Sequence, residues 1–400
     1  MFNVREDFPM LEHDYIYFDN GATTFKPNKV IDAINDYYRN YTANAHRGDY
    51  DLSYKVDLEF ENARNEVKRF INATHSESII FTSGATEGLN MVVSGFFKHF
   101  LEANDEIILN QSEHASNVIP WFNLVNSNKC VIKYAPLDKD YKLTFESIRE
   151  TITSNTKVIS LAHITNVIGD VRDIKRIIEY AHTLGIFVVV DASQSIAHMK
   201  IDVSDLNPDF LVFSGHKMYG PTGIGILYGN LKLLEQLEPI NYGGGMNESF
   251  DDEFHINLKS LPYRLEAGTP NIEGAIGLGA AIKYLNQIGM DNIIKYESNL
   301  KDYLIDKLDK ISHVDIINYN SESAIVSFNV VDIFSQDIAY YLNKYNICVR
   351  AGNHCAKILK HATHTTNSIR ISLSFYNTHE EIDALIELLS NKSKIEKEMI

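Results

Sequence analysis

Short apolar runs alternate with amphipathic stretches through the middle of the chain. The runs at 106–109, 130–134, 158–161, 187–190 and 210–213 have strand length and are mostly rich in Ile, Val or Phe. Helical patterns such as 174–184 lie between them. This alternation predicts an α/β architecture with a largely parallel sheet. Ligands of such sheets collect beyond the carboxyl ends of the strands. His114, Asn166, Asp191 and Lys217 all follow apolar runs and fall there. Near Ala280 the pattern changes to a long helical stretch through Tyr284, Ile288, Ile293 and Leu304, then to short strands around 324–329 and 347–350. The expected division is an N-terminal segment 1–18 packing on the small domain, a large domain 19–284 and a smaller C-terminal α+β domain 285–400.

Charge narrows the function classes. Lys+Arg 37 against Asp+Glu 53 gives a net charge of −16, which argues against a nucleic-acid groove or an anionic-membrane surface as the main partner. Three cysteines, an odd number, do not suggest a disulfide framework and fit a reducing compartment. The start Met1-Phe2-Asn3-Val4-Arg5 has no signal-peptide pattern, and no apolar run approaches the ~18 residues of a membrane span. A cytoplasmic protein is expected.

Three segments carry chemistry. Val188-Val189-Val190-Asp191 sets a carboxylate at the end of an apolar strand, where its charge calls for a cationic partner. Phe213-Ser214-Gly215-His216-Lys217 sets a primary amine in the converse position. An amine in such a pocket can form a Schiff base with an aldehyde. Ile79-Ile80-Phe81-Thr82-Ser83-Gly84-Ala85-Thr86 reads as strand, tight turn and helix start, whose free N–H groups suit a phosphate. Pyridoxal phosphate has the aldehyde, pyridinium and phosphate that the three would serve. Taken singly, each has an ordinary structural explanation; together they are specific. The glycine-rich run 220–225 lacks dinucleotide-fingerprint spacing and precedes a strand pattern instead of a helix.

The stretch Ser214-Gly215-His216-Lys217, with Asp191-Ala192-Ser193-Gln194 and Gln111-Ser112-Glu113-His114 before it, resembles the class V aminotransferase family, specifically the SUF-type (group II) cysteine desulfurases. The resemblance runs from Tyr17-Phe18-Asp19-Asn20-Gly21-Ala22 to Tyr376-Asn377-Thr378-His379-Glu380-Glu381. It implies the pyridoxal-phosphate fold type I, with a mostly parallel sheet of the seven-stranded type in the large domain. It also implies a homodimer.

By that resemblance Lys217 holds pyridoxal phosphate as a Schiff base, Asp191 pairs with the ring nitrogen, Gln194 bonds the ring hydroxyl and His114 stacks on the ring. Ala85, Thr86, Ser214 and His216 hold the phosphate, with Gly268 and Thr269 reaching it from a partner subunit. Asn166 serves cofactor and substrate. Arg370 takes the substrate carboxylate, suited by its guanidinium fork, while Arg350, His46 and Arg47 flank the substrate. No metal is assigned.

Cys355, in Arg350-Ala351-Gly352-Asn353-His354-Cys355-Ala356, resembles the family's sulfur-accepting cysteine. It follows a glycine and lies near His354 and Arg350, an electropositive setting that favours a thiolate. Cys130 and Cys348 lie in apolar strand patterns and read as inert thiols. Close relatives often carry a second histidine where this chain has Asn353, so acid–base work in the loop is expected to fall to His354, His114 or water. The expected activity converts L-cysteine to L-alanine, with sulfur held on Cys355 and passed to a SufE-like or SufU-like acceptor for iron–sulfur cluster assembly. The alternatives are a selenocysteine lyase or a non-catalytic sulfur-binding scaffold.

Overall fold

The computed structural model describes residues 4–46 and 48–398. Seven strands form the central sheet, in the order Ile79–Thr82, Gly225–Gly229, Phe210–Ser214, Phe187–Asp191, Thr156–Ala162, Glu106–Asn110 and Val131–Ala135. Gly225–Gly229 runs antiparallel to both neighbours, and the other pairings are parallel. All five expected strands are present, and 174–184 forms the helix Ile174–Thr183.

Strand alternation explains the layering. Ile108, Ile159, Val188, Val190, Leu211 and Phe213 face one core, while Ile107, Val158, Val189, Phe210 and Val212 face the other. With apolar cover on both faces, ligands can reach the sheet only at its edges and strand ends.

A second, four-stranded antiparallel sheet has the order Val314–Ile316, Ile325–Val330, Ser368–Ser372 and Arg350–Gly352, over its own core of Leu300, Leu304, Val326, Ile369, Ile371 and Leu385. The long helical stretch expected after Ala280 is two helices, Ile272–Ile288 and Met290–Asp309. Gly289, at φ +86°, makes the break, in a conformation glycine adopts without the steric cost of a Cβ. The first of these helices runs through position 284.

The N-terminal segment ties both parts together. Phe8 packs among Tyr219, Tyr284, Phe375 and Tyr376. Ile16–Tyr17 pairs in parallel with Ile347–Cys348, and Asp19 bridges to Ser372. Between the sheets, Ser327 Oγ donates to Val167 O at 2.7 Å and Asn318 Nδ2 to Ile168 O at 2.6 Å, so the loop after Thr156–Ala162 is held by the smaller sheet.

Candidate active site

The shared carboxyl edge of the parallel strands gathers the expected groups. Asp191 ends its strand buried, with Oδ1 accepting from the Ser193 N–H at 2.9 Å. Lys217 closes a short helical turn directly after Phe210–Ser214. Burial pushes its amine down to about 8; Asp191 opposes the shift, and Arg370 and Arg350 add to it. Lys217 makes no hydrogen bond, and Asp191 no ion pair, among the described residues.

His114 follows Glu106–Asn110, and its Nδ1 accepts from the Ser116 N–H at 3.1 Å, which leaves the proton of the neutral ring on Nε2. Burial, then Lys217, lowers the ring to about 4, so it is neutral at pH 7. Beneath it lies an arrangement that the sequence patterns did not indicate. Arg172 bonds the Glu113 carboxylate, Ser112 Oγ at 2.8 Å and Asn110 Oδ1 at 3.2 Å, all buried. Glu113 also accepts from the Ala162 N–H at 2.8 Å, joining two strand ends. Removing one partner of such a buried pair costs about 3–5 kcal/mol, so this network fixes the base on which His114 stands.

Ala85–Val92 begins at Gly84, which has no side chain of its own to cap the helix. A Cβ on Gly225 would come 2.5 Å from Gly84 Cα, so this glycine lets the turn settle on the neighbouring strand. Ser214 Oγ accepts from the Ala85 N–H at 2.9 Å, and Thr86 Oγ1 lies 2.7 Å from Ser116 Oγ. The His216 ring is lowered to about 4 by burial and then by Lys217, while its carbonyl accepts from the Thr24 N–H and Lys26. Gln194 Nε2 donates to Gly21 O at 2.9 Å.

The smaller sheet contributes the other wall. Arg350 and Arg370 are register partners on adjacent strands. Arg370 is buried, with Nη1 on Asn166 O at 3.0 Å, Nη2 on Asp19 Oδ1 at 2.6 Å and Nε unpartnered. Asn166 Nδ2 donates to His354 O at 2.7 Å, and Asn166 Oδ1 is unpartnered.

The cysteine loop is unusual backbone. His354 has φ +49° and Cys355 φ +60°, left-handed values that cost roughly 1–2 kcal/mol each for residues with a Cβ. Three contacts hold it: Asn353 Oδ1 accepts from the Cys355 N–H at 3.2 Å, Cys355 O accepts from the Ala115 N–H at 2.8 Å, and Asn166 holds His354 O. Cys355 is exposed, its Sγ 3.7 Å from an Arg350 nitrogen, and the residue after His114 anchors its carbonyl. Cys130 is buried and Cys348 partly so.

Two expected residues take positions that the sequence did not indicate. His354 turns inward, its Nε2 3.0 Å from Ser368 O, and burial with the nearby Arg370 lowers it to about 3. Its Nδ1 is buried without a partner and the ring is neutral at pH 7, which favours His114 or water among the three expected candidates for acid–base work in the loop. Among the described residues His46 makes no bond to Lys217, His114 or Arg370. It faces Asp57 at 3.6 Å and Glu61 at 3.5 Å, and lines a separate cleft of about 520 Å³ with Tyr263, Glu266 and Gly268. Thr269 lies on the far side of Glu266, in a pocket with Thr82 and Ser83. Arg47 lies outside the described residues.

The donor set fits pyridoxal phosphate. An amine without a hydrogen bond and a buried carboxylate without an ion pair share one edge, beside a helix start at Gly84 that carries hydroxyls of Ser214 and Thr86. The aminotransferase class-V family model matches residues 16–385. The chain belongs to the class-V aminotransferase family. Within that family it is 41% identical over 387 residues to a probable cysteine desulfurase of Halalkalibacterium halodurans, covering 96% of this chain and 95% of the relative. The cysteine desulfurase CsdA of Escherichia coli superposes with a TM-score of 0.93 at 32% identity, covering 100% of both chains. A cystine C–S lyase, C-DES, with a TM-score of 0.83 at 21% identity over 96% of this chain and 99% of its own, shares the fold. The family fold is a pyridoxal-phosphate fold, with the mostly parallel seven-stranded sheet described above.

Proposed function

We propose that this class-V family member is a cysteine desulfurase that takes sulfur from L-cysteine onto Cys355 and releases L-alanine. The observation that carries the reading is the exposed Cys355 held by the residue after His114, on the same wall as Arg350 and Arg370. Relatives named cysteine desulfurases, similar over nearly the whole chain, support it.

Lys217 and Asp191 would hold the aldehyde and ring-nitrogen ends of pyridoxal phosphate, with Gln194 at the ring hydroxyl and His114 at its face. Ala85, Thr86, Ser214 and His216 would hold its phosphate. Bound there, the cofactor supplies an electron sink that lets the substrate α-proton leave. Arg370 Nε and the remaining N–H of Asn166 Nδ2 donate to the substrate carboxylate and orient it. The Lys217 amine, at about 8, takes and returns a proton near neutral pH. Cys355 Sγ attacks the substrate sulfur, the carbon–sulfur bond breaks, and the carbon fragment leaves with the protons that make alanine. Cysteine plus the Cys355 thiol thus gives alanine plus the Cys355 persulfide, with no outside oxidant.

A second copy of the chain brings His46, Gly268 and Thr269 to this site in a homodimer. The persulfide sulfur then passes to a SufE-like or SufU-like acceptor in the cytoplasm, for iron–sulfur cluster assembly. No helix among the described residues is long and apolar enough to cross a membrane. The test is mass spectrometry of the protein after L-cysteine. A one-sulfur gain on the peptide bearing Cys355, lost on Cys355→Ser, is the expected result; a gain on Cys130 or Cys348 instead would refute the assignment.

A further inference from the structure

The surface beside Cys355 has a charge opposite to that of the molecule. The chain carries −16 net, yet no Asp or Glu occurs between Asp337 and Glu380. Within that stretch Lys357, Lys360, His361 and His364 follow Cys355 and are exposed. The local fold sorts them outward. Ala356 and Leu359 are buried against Val167 and Ile168, Thr363 is buried one turn on, and Ile358 and Ala362 are partly buried, so it is Lys357, Lys360, His361 and His364 that face solvent. Successive turns fix the run: the Ala356 N–H bonds Asn353 O at 2.8 Å, and the Leu359 N–H bonds Ala356 O at 3.0 Å.

Lys357 and Lys360 line one small cavity with Asn353 and His354, the two residues before Cys355. Arg350, half-buried against the Cys355 sulfur, adds a third cation beside that residue. Arg350, Lys357 and Lys360 form no ion pair among the described residues. Each holds an unneutralised charge at a place where the rest of the surface supplies acids.

We infer that this cap is the docking surface for the protein that accepts sulfur, and that the acceptor presents an acidic rim around its thiol. The inference rests on the reading of Cys355 as the sulfur carrier. The transfer is balanced: the acceptor thiolate attacks the outer persulfide sulfur, the sulfur–sulfur bond breaks, and Cys355 leaves as thiolate. A cationic rim steers an acidic partner to that sulfur, while the acidic remainder of the surface repels it from unproductive approaches.

The test uses two synthetic peptides that carry one cysteine each, flanked by glutamates in one and lysines in the other. Sulfur transfer from the persulfidated full-length protein is timed at low salt. Each rate is divided by that peptide's rate with an uncharged small-molecule persulfide, which removes the difference in thiol reactivity without adding a charge preference of its own. The glutamate peptide is expected to be faster by about tenfold, with the gap closing at high salt. Lys357→Glu/Lys360→Glu should erase or reverse the preference, and Lys357→Gln/Lys360→Gln should reduce it. Alanine release with dithiothreitol should remain at the unsubstituted level in both. Equal normalised rates, or a preference that survives the substitutions, overturns the docking surface. Tighter, substitution-sensitive binding of an RNA oligonucleotide than of the glutamate peptide overturns it in favour of nucleic acid. Absence of alanine from the unsubstituted protein with dithiothreitol instead refutes the desulfurase reading.

Discussion

Asp19 Oδ1 lies 2.6 Å from Arg370 Nη2, although 351 residues separate the two. With Asn166 O on Nη1, this contact fixes the guanidinium plane and leaves Nε as its unpartnered edge. Gly21 completes the fit, because a Cβ there would press on Arg370 Cζ at 3.2 Å. Its carbonyl also holds Gln194. One short N-terminal loop therefore sets both the substrate arginine and a residue of the cofactor pocket.

Loss of the Asp19 carboxylate should act on substrate binding more than on turnover. Asp19→Ala is expected to raise KM for L-cysteine about tenfold, a cost of ~1.4 kcal/mol, with a smaller change in kcat. Asp19→Asn retains an acceptor and should stay within about threefold. Steady-state alanine release gives both values. A fall in kcat at unchanged KM would exclude the positioning role.

The lowered Lys217 amine predicts a pH dependence in cofactor uptake. Only the neutral amine reacts with an aldehyde, and it is the minor form below about 8. The rate at which apoprotein takes up pyridoxal phosphate, followed by absorbance, should rise about tenfold per pH unit up to about 8 and then level. Folding lowers this pKa from 10.5, so the unfolded chain binds the extra proton between about 8 and 10.5. The group accordingly makes the apoprotein more stable as pH rises through that window, and less stable below it. A rate that climbs without levelling to the ordinary lysine value would remove the buried-amine account.

His354 tests the assignment of acid–base work in the loop. A ring held near 3 does not titrate during neutral-pH turnover. His354→Gln should leave the shape of the kcat profile unchanged between about pH 5.5 and 8, because no proton is gained or lost there. Loss of an inflection in that range would make His354 an acid–base group after all.

The cofactor edge was legible because each of its groups follows a strand directly. Asp191 terminates a run of three valines, and Lys217 and His114 come within four residues of their strand ends. The apolar alternation therefore gave both the sheet and the edge. The substrate side depends on pairings distant in sequence: Arg350 opposite Arg370, and Arg370 against Asp19. Local patterning carries no signal for these. The inward direction of His354 was not legible, because it depends on a left-handed backbone at 354 and 355, where residue type gives little warning. The break at Gly289 was missed because apolar spacing continues across it, although an internal glycine was the available signal. The Glu113–Arg172 pair had a weaker one: two opposite charges beside strand ends, too buried to remain unpaired.

The most direct measurement compares alanine release from L-cysteine, with dithiothreitol present, by the cofactor-loaded protein and its Cys355→Ser variant. The account predicts alanine from the first and almost none from the second, with the cofactor absorbance intact in both. Equal alanine from the two would contradict it, since the carbon–sulfur bond would then break without Cys355.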